Sequence, residues 1–297
     1  MVTKKILASL TPFLLFPAVC SAENSQWVEW IADFEASYAR INNLNYSAFS
    51  NDQVDDNRLA VRAVLGRFYQ FSGNTRVHLA AELAGEQYDK TDMMDNSQVG
   101  ISFGVRHKFG LGHLVPYLQF NSNYRHQEVD AKPWSNDRFA LDIELGKHFT
   151  QSLSLAFSVK YVSMEGEPGS EVVPGLSSRV FDQDFWRASL FADYIISQNW
   201  LLSLSYTRRE GDFHSACTKE NVSKALETME VTAITPDDIF GGCVYRVDGS
   251  NDVYSTNISY AVSNHSAVNL SMEFYQGSAG ELSYDGSMVQ LSYNYRY

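Results

Sequence analysis

Hydrophobic and polar residues alternate with a period of 2 along most of the chain after residue 26. In segment 27–40, Val28, Trp30, Ala32, Phe34, Ala36 and Tyr38 fall on one face, with Glu29, Asp33 and Glu35 on the other. That period is the pattern of a strand whose two faces meet different surroundings. Segment 58–71 repeats it, with Leu59, Val61, Ala63, Leu65, Tyr69 and Phe71 opposite Arg58 and Arg62. Ten further segments follow the same rule: 76–88, 98–109, 114–126, 138–149, 152–163, 184–196, 200–210, 252–263, 267–276 and 287–297. Segment 114–126 is the least regular because Pro116 lies inside it. The pattern predicts twelve strands.

Connections between these segments alternate in length. Residues 72–75, 110–113, 150–151, 197–199 and 264–265 are tight turns, while the intervening connections are long, 211–251 being the longest. The last segment puts Val289, Leu291, Tyr293, Tyr295 and Tyr297 on one face and ends on an aromatic residue. It resembles the C-terminal signal strand of Gram-negative outer-membrane β-barrels. The resemblance is to that class as a whole, over residues 23–297, and to no single family. It implies recognition of the terminal strand by the barrel-insertion machinery, a place in the cell outer membrane, and contact with outer-membrane lipid and lipopolysaccharide. An even number of antiparallel strands, with short turns at one end and long loops at the other, is the expected layout of such a barrel. Closure is required in lipid, where each backbone polar group must find a partner within the sheet. The predicted fold is therefore all-β: one closed antiparallel transmembrane barrel of twelve strands. Aromatics fall where interfacial belts are expected, with Trp27, Phe71, Phe109, Phe149, Trp200 and Tyr297 towards the periplasmic rim. Tyr38, Tyr161, Trp186, Tyr254 and Phe274 lie towards the other rim.

Composition narrows the picture. A formal charge of −12 argues against nucleic acid as a partner, since phosphate binding needs clustered basic surface. Aromatics reach 13% although mean hydropathy is −0.25, which suits a chain that is apolar on alternate residues only. Residues 1–22 read as a secretory signal peptide: Lys4 and Lys5, an apolar run from Ile6 to Val19, then small residues ending at Ala22, with cleavage expected after it. That leaves a single barrel domain over 23–297. Beyond the leader no apolar run is long enough for a spanning helix. Cys217 and Cys243 remain in the mature chain, and in an exported protein two cysteines predict one disulfide. Between them Val222, Ala225, Leu226 and Met229 recur at helical spacing behind Asn221, a candidate N-cap, so a short amphipathic helix is expected.

The inward face carries the candidate functional residues. Glu29, Asp33, Glu35, Glu82, Glu86, Asp142 and Glu144 face Arg58, Arg62, Arg106, Arg125, Lys160, Arg187 and Arg209, with Arg138, Asp193, Glu273 and Arg296 on the same face. Opposed acids and bases in a wetted pore set up a transverse field that orients polar solutes. The same residues in a narrow barrel form a salt-bridged filling. Twelve strands lie between the eight that just hold their side chains and the sixteen that leave an aqueous channel. The main expectation is a porin-like channel for small polar or charged solutes, and the alternative is a structural or surface-interaction barrel with a filled lumen. A lipid-modifying enzyme is a third reading. It lacks support, because the seven histidines are scattered and Asp212-Phe213-His214 is only half of a barrel-protease pattern. The sequence carries no nucleotide, haem or catalytic-metal motif, so no cofactor is expected.

Overall fold

A computed structural model describes residues 25–228 and 231–297. The expected signal peptide and Met229 of the predicted helix lie outside these. Thirteen strands are formed among the described residues: β1 (Gln26–Asn42), β2 (Asp56–Ser72), β3 (Thr75–Tyr88), β4 (Asn96–Lys108), β5 (Tyr117–Val129), β6 (Asn136–His148) and β7 (Leu153–Gly166), followed by β8 (Gln183–Ser197), β9 (Trp200–Thr218), β10 (Val231–Asp237), β11 (Gly242–Ser263), β12 (Ser266–Ala279) and β13 (Leu282–Arg296). Twelve of them form a closed antiparallel barrel in which each pairs with its sequence neighbours, β9 pairing directly with β11. Closure is made by β1 against β13, from Asp33 opposite Arg296 to Asn42 opposite Ser287. The terminal strand thus completes the ring, and the Arg296 guanidinium grips the Asp33 carboxylate at 2.8 Å.

The wall has the two faces that the alternation predicts. Leu65, Leu83 and Ile101 are about 60% exposed, and large apolar side chains of every barrel strand share that outer surface. A continuous apolar belt of this extent would aggregate in water but is what hydrocarbon requires. Every residue predicted for the aromatic belts, Tyr161 apart, is among the exposed large side chains, and the Tyr161 ring packs against Trp186. Inside, glycines make room for rings: a Cβ on Gly146 would strike the Tyr117 ring, and one on Gly104 would strike His78.

Three local expectations are corrected. A β-bulge between Trp27 and Trp30 breaks the alternation in β1, so both tryptophans face outward, where the Arg67 guanidinium lies over them. One extra residue at a bulge flips the faces that follow it, which simple alternation cannot show. β5 begins at Tyr117 rather than 114, because Pro116 has no N–H for the ladder and serves as an acceptor for Phe109 N–H instead.

The largest correction concerns 211–251, read above as a loop. β9 and β11 run on as a two-stranded ribbon well past the ends of their barrel partners, from Gly211 opposite Gly249 to Thr218 opposite Gly242. β8 stops pairing with β9 at Gly211, and β12 stops pairing with β11 at Ser250. The ribbon leaves the wall at the facing glycines: Gly211 has φ +118°, and a Cβ there would lie 2.5 Å from the Asp184 carbonyl oxygen. Only a residue without a side chain bends the chain at that point. β10 then adds to the free edge of β11, making a three-stranded sheet above the barrel. The disulfide Cys217–Cys243 joins opposite residues of the ribbon. Helix α1 (Val222–Thr228) forms where expected, and Val222 and Leu226 pack on the apolar cluster around Phe49, Phe213, Ile234 and Tyr245. The Asn221 side-chain amide donates to Asp52 at 2.9 Å.

Candidate functional site

The barrel interior gathers the charged residues singled out from the sequence. On β1–β5 they form ion pairs. Glu82 is shared by Arg62 (2.7 Å) and Arg125 (2.6 Å), and Glu86 pairs with Arg58 at 3.2 Å while accepting from Tyr88 and Asn96. Arg106 lies over the Tyr117 ring at 3.6 Å, and that tyrosine donates to Glu144 at 2.8 Å. Asp142 accepts from Asn121. Glu35 lines the mid-barrel cavity beside Arg58 and Arg62. Glu29, at the bulge, is largely exposed and pairs with Arg76 at 3.2 Å, away from the central group.

The β6–β9 wall is different. Lys160, Arg187 and Arg209 stand directly opposite one another across β7, β8 and β9. None of these three, nor Arg138 on β6, has a carboxylate within 4.0 Å among the described residues. Arg209 lies over the Phe185 ring at 3.7 Å and donates to Gln183 Oε1 at 3.3 Å and to the Asp212 carbonyl.

These groups line separate spaces. A cavity of about 410 Å³ at the short-turn end meets Asp33, Glu35, Arg62 and Arg296. Another of about 410 Å³ meets Arg76, His78, Arg106 and Lys108. A narrower one of about 150 Å³ sits among the Glu82 and Glu86 pairs.

At the long-loop end, the β9–β11–β10 sheet forms a roof. It is tied to loops from around the mouth: Ala216 N–H donates to Asn45 O, Thr218 to Asp52, Trp134 Nε1 to Asp237 and Ile234 N–H to Ser177 O. Two apolar clusters fill the joints, one around Phe49 and Tyr245, the other around Trp134, Phe181 and Val244. Beneath lies a chamber of about 340 Å³, with Tyr46, Trp134, Phe181 and His214 above and Arg58, Glu273 and Met288 below. His214 stands past the Gly211 bend, outside the barrel wall. Burial and then the Arg209 charge hold its imidazole down at about 3, and its Nδ1 lies 3.1 Å from Gln183 Nε2. Its ring packs against Trp134, Phe181 and Tyr46, while Asp212 binds the Asp184 N–H, so the two are not joined as a catalytic pair. Sequence reasoning missed the roof residues Tyr46, Trp134 and Phe181. The one available signal was the β-like runs 213–217 and 243–247 flanking the cysteines.

Fold and site define a twelve-stranded β-barrel with a lipid-type outer wall, a charged and partly hollow lumen, and a roofed mouth. No family model and no curated protein matches the chain. Among solved structures it is similar to an outer membrane channel from Pseudomonas putida F1, with 11% identity over 94% of this chain and 100% of that one, at a TM-score of 0.49. It is also similar to the NanC porin (9% identity, 90% and 100% covered, TM-score 0.46) and to the β domain of the Bordetella autotransporter BrkA (10%, 91% and 100%, 0.45). These likenesses are to the barrel architecture and carry no solute with them.

Proposed function

We propose that this protein is a non-enzymatic outer-membrane channel for small polar or charged solutes, closed on its outer side by the β9–β11–β10 roof. The observation that carries this reading is a lumen that is charged and partly hollow, inside an apolar wall. A barrel needing only mechanical stability is better served by apolar filling than by desolvated ion pairs, which often add nothing to stability. Solutes would pass between the ion-paired β1–β5 wall and the cationic β6–β9 wall, with the Glu82 and Glu86 pairs at the narrow point. The short-turn end would face the periplasm, the terminal strand would serve the insertion machinery, and the apolar belt would meet outer-membrane lipid and lipopolysaccharide.

The roof also favours a second reading, a closed structural barrel. Conductance separates the two. Because Gly211 and Gly249 are paired, residues 212–248 can be replaced by a two-residue Asn-Gly turn that keeps the hairpin register. The channel reading expects few or short openings from the full protein in planar bilayers and sustained stepwise conductance from the roofless variant. Silence from both, with both correctly folded, leaves the filled barrel.

A further inference from the structure

We infer that the β6–β9 wall of the lumen is a binding site for small oxyanionic solutes, held by Arg138, Lys160, Arg187 and Arg209. This deepens the channel reading by naming its solute class.

The first observation is the in-register row Lys160–Arg187–Arg209, in which like charges face each other on three adjacent strands. Like charges directly opposite destabilise a sheet, and no carboxylate among the described residues comes within ion-pair distance to offset them. Asp142 is opposite Lys160 but makes no ion pair with it, taking the Asn121 amide instead. Arg138 adds to the repulsion, standing directly opposite Arg125 on β5. Glu273, which lines the chamber beneath the roof, makes no ion pair with Arg187. Elsewhere in the same lumen Glu82 and Glu86 hold their arginines at 2.6–3.2 Å, so the chain pairs its charges where it has carboxylates to spare.

The second observation is unused donors. The Nε atoms of Arg138 and Arg209 are buried and donate to no described protein atom. The Arg187 side chain makes no hydrogen bond to the described protein; its guanidinium lies 5.1 Å over the Phe185 ring, on which Arg209 also rests. Phe185 is buried and fixes both forks. Planar guanidinium forks match carboxylate and phosphate oxygens two at a time. Strands spaced about 4.8 Å apart spread the three row cations over about 10 Å, which suits a solute carrying more than one oxyanionic group. A bound oxyanion would supply the missing acceptors and cancel the like-charge repulsion together.

The test uses full-length protein in detergent, titrated calorimetrically at low salt with inorganic phosphate and, separately, with citrate. The wild type is expected to bind at least one of them, more weakly as salt rises. The double variant Arg187→Gln/Arg209→Gln is expected to bind about tenfold more weakly or worse, the loss that follows from removing charged hydrogen bonds. Lys147→Gln, on the outer wall over Phe149, is expected to match the wild type. Retained heat-modifiable mobility on gels certifies the fold; should the double variant fail it, the single variants Arg138→Gln and Lys160→Gln take its place. A wild type that binds neither anion, or variants that bind as well as wild type, would overturn the site. Binding without any conductance keeps the site and removes the channel, whereas conductance without binding removes the site alone.

Discussion

His214 shows how one side chain changes meaning between sequence and structure. In the sequence it closes Asp212-Phe213-His214, an incomplete barrel-protease pattern; in the folded chain it is a neutral ring wedged between Trp134, Phe181 and Tyr46 under the roof. Its imidazole is held at about 3 when folded, against about 6.5 in an unfolded chain. The unfolded roof therefore binds the extra proton below pH 6.5, and stability falls with pH from there towards 3, by up to about 1.4 kcal/mol per pH unit. Asp237, whose carboxyl burial pushes up, works in the opposite sense: as pH falls through its folded value, protonation favours the folded roof. The expected outcome is a roof that becomes protease-sensitive between pH 7.5 and 5, and a His214→Gln variant without that dependence. Cleavage within 212–248 is the readout, and equal protection at both pH values in wild type would refute it. The charged residues of the lumen were legible by face alone, since period 2 fixes the side of each. Their partners were not. Glu82 serves both Arg62 and Arg125 because the register places Glu82, Gly100 and Arg125 in one row, with no side chain on Gly100 between the two charges, which no spacing reports.

The ribbon formed by β9 and β11 is the element that decides the shape of the mouth. Its bend depends on Gly211, held at φ +118° beneath the Asp184 carbonyl, and on the facing Gly249. Gly211→Ala combines left-handed strain with a contact of 2.5 Å, and a loss of about 1–3 kcal/mol is expected. Gly73→Ala, at a turn where a Cβ meets nothing within 4 Å, should be near neutral. Unfolding midpoints in denaturant compare them, and similar midpoints for both variants would refute the role given to the bend. The sequence called this region a loop because alternation there is weak. The roof sheet is buried on both faces, so Val244 and Tyr245 are both apolar and inaccessible, and a strand covered on both sides loses its period.

For the molecule as a whole, closure rests on the pairing of the first and last strands. The Tyr297 backbone N–H donates to Ala32 O at 3.0 Å and its ring lies on the outer wall. Deleting Tyr297 removes that last bond and the terminal aromatic, so a lower yield of heat-modifiable barrel in the outer-membrane fraction is expected. An undiminished yield would argue against a role for the terminal residue in assembly. The number of barrel strands, their faces beyond the β1 bulge, the aromatic belts and the ring-closing role of the last strand were determined by the sequence. They follow from a local period set by lipid on one side and polar groups on the other. Only the tertiary structure decided that the mouth is roofed, that the acids of β3 pair with neighbouring arginines, and that the cations of β7–β9 stand opposite one another without ion pairs. Those facts depend on register, stagger and bend between strands far apart in the chain, and a period of 2 carries no information about any of them.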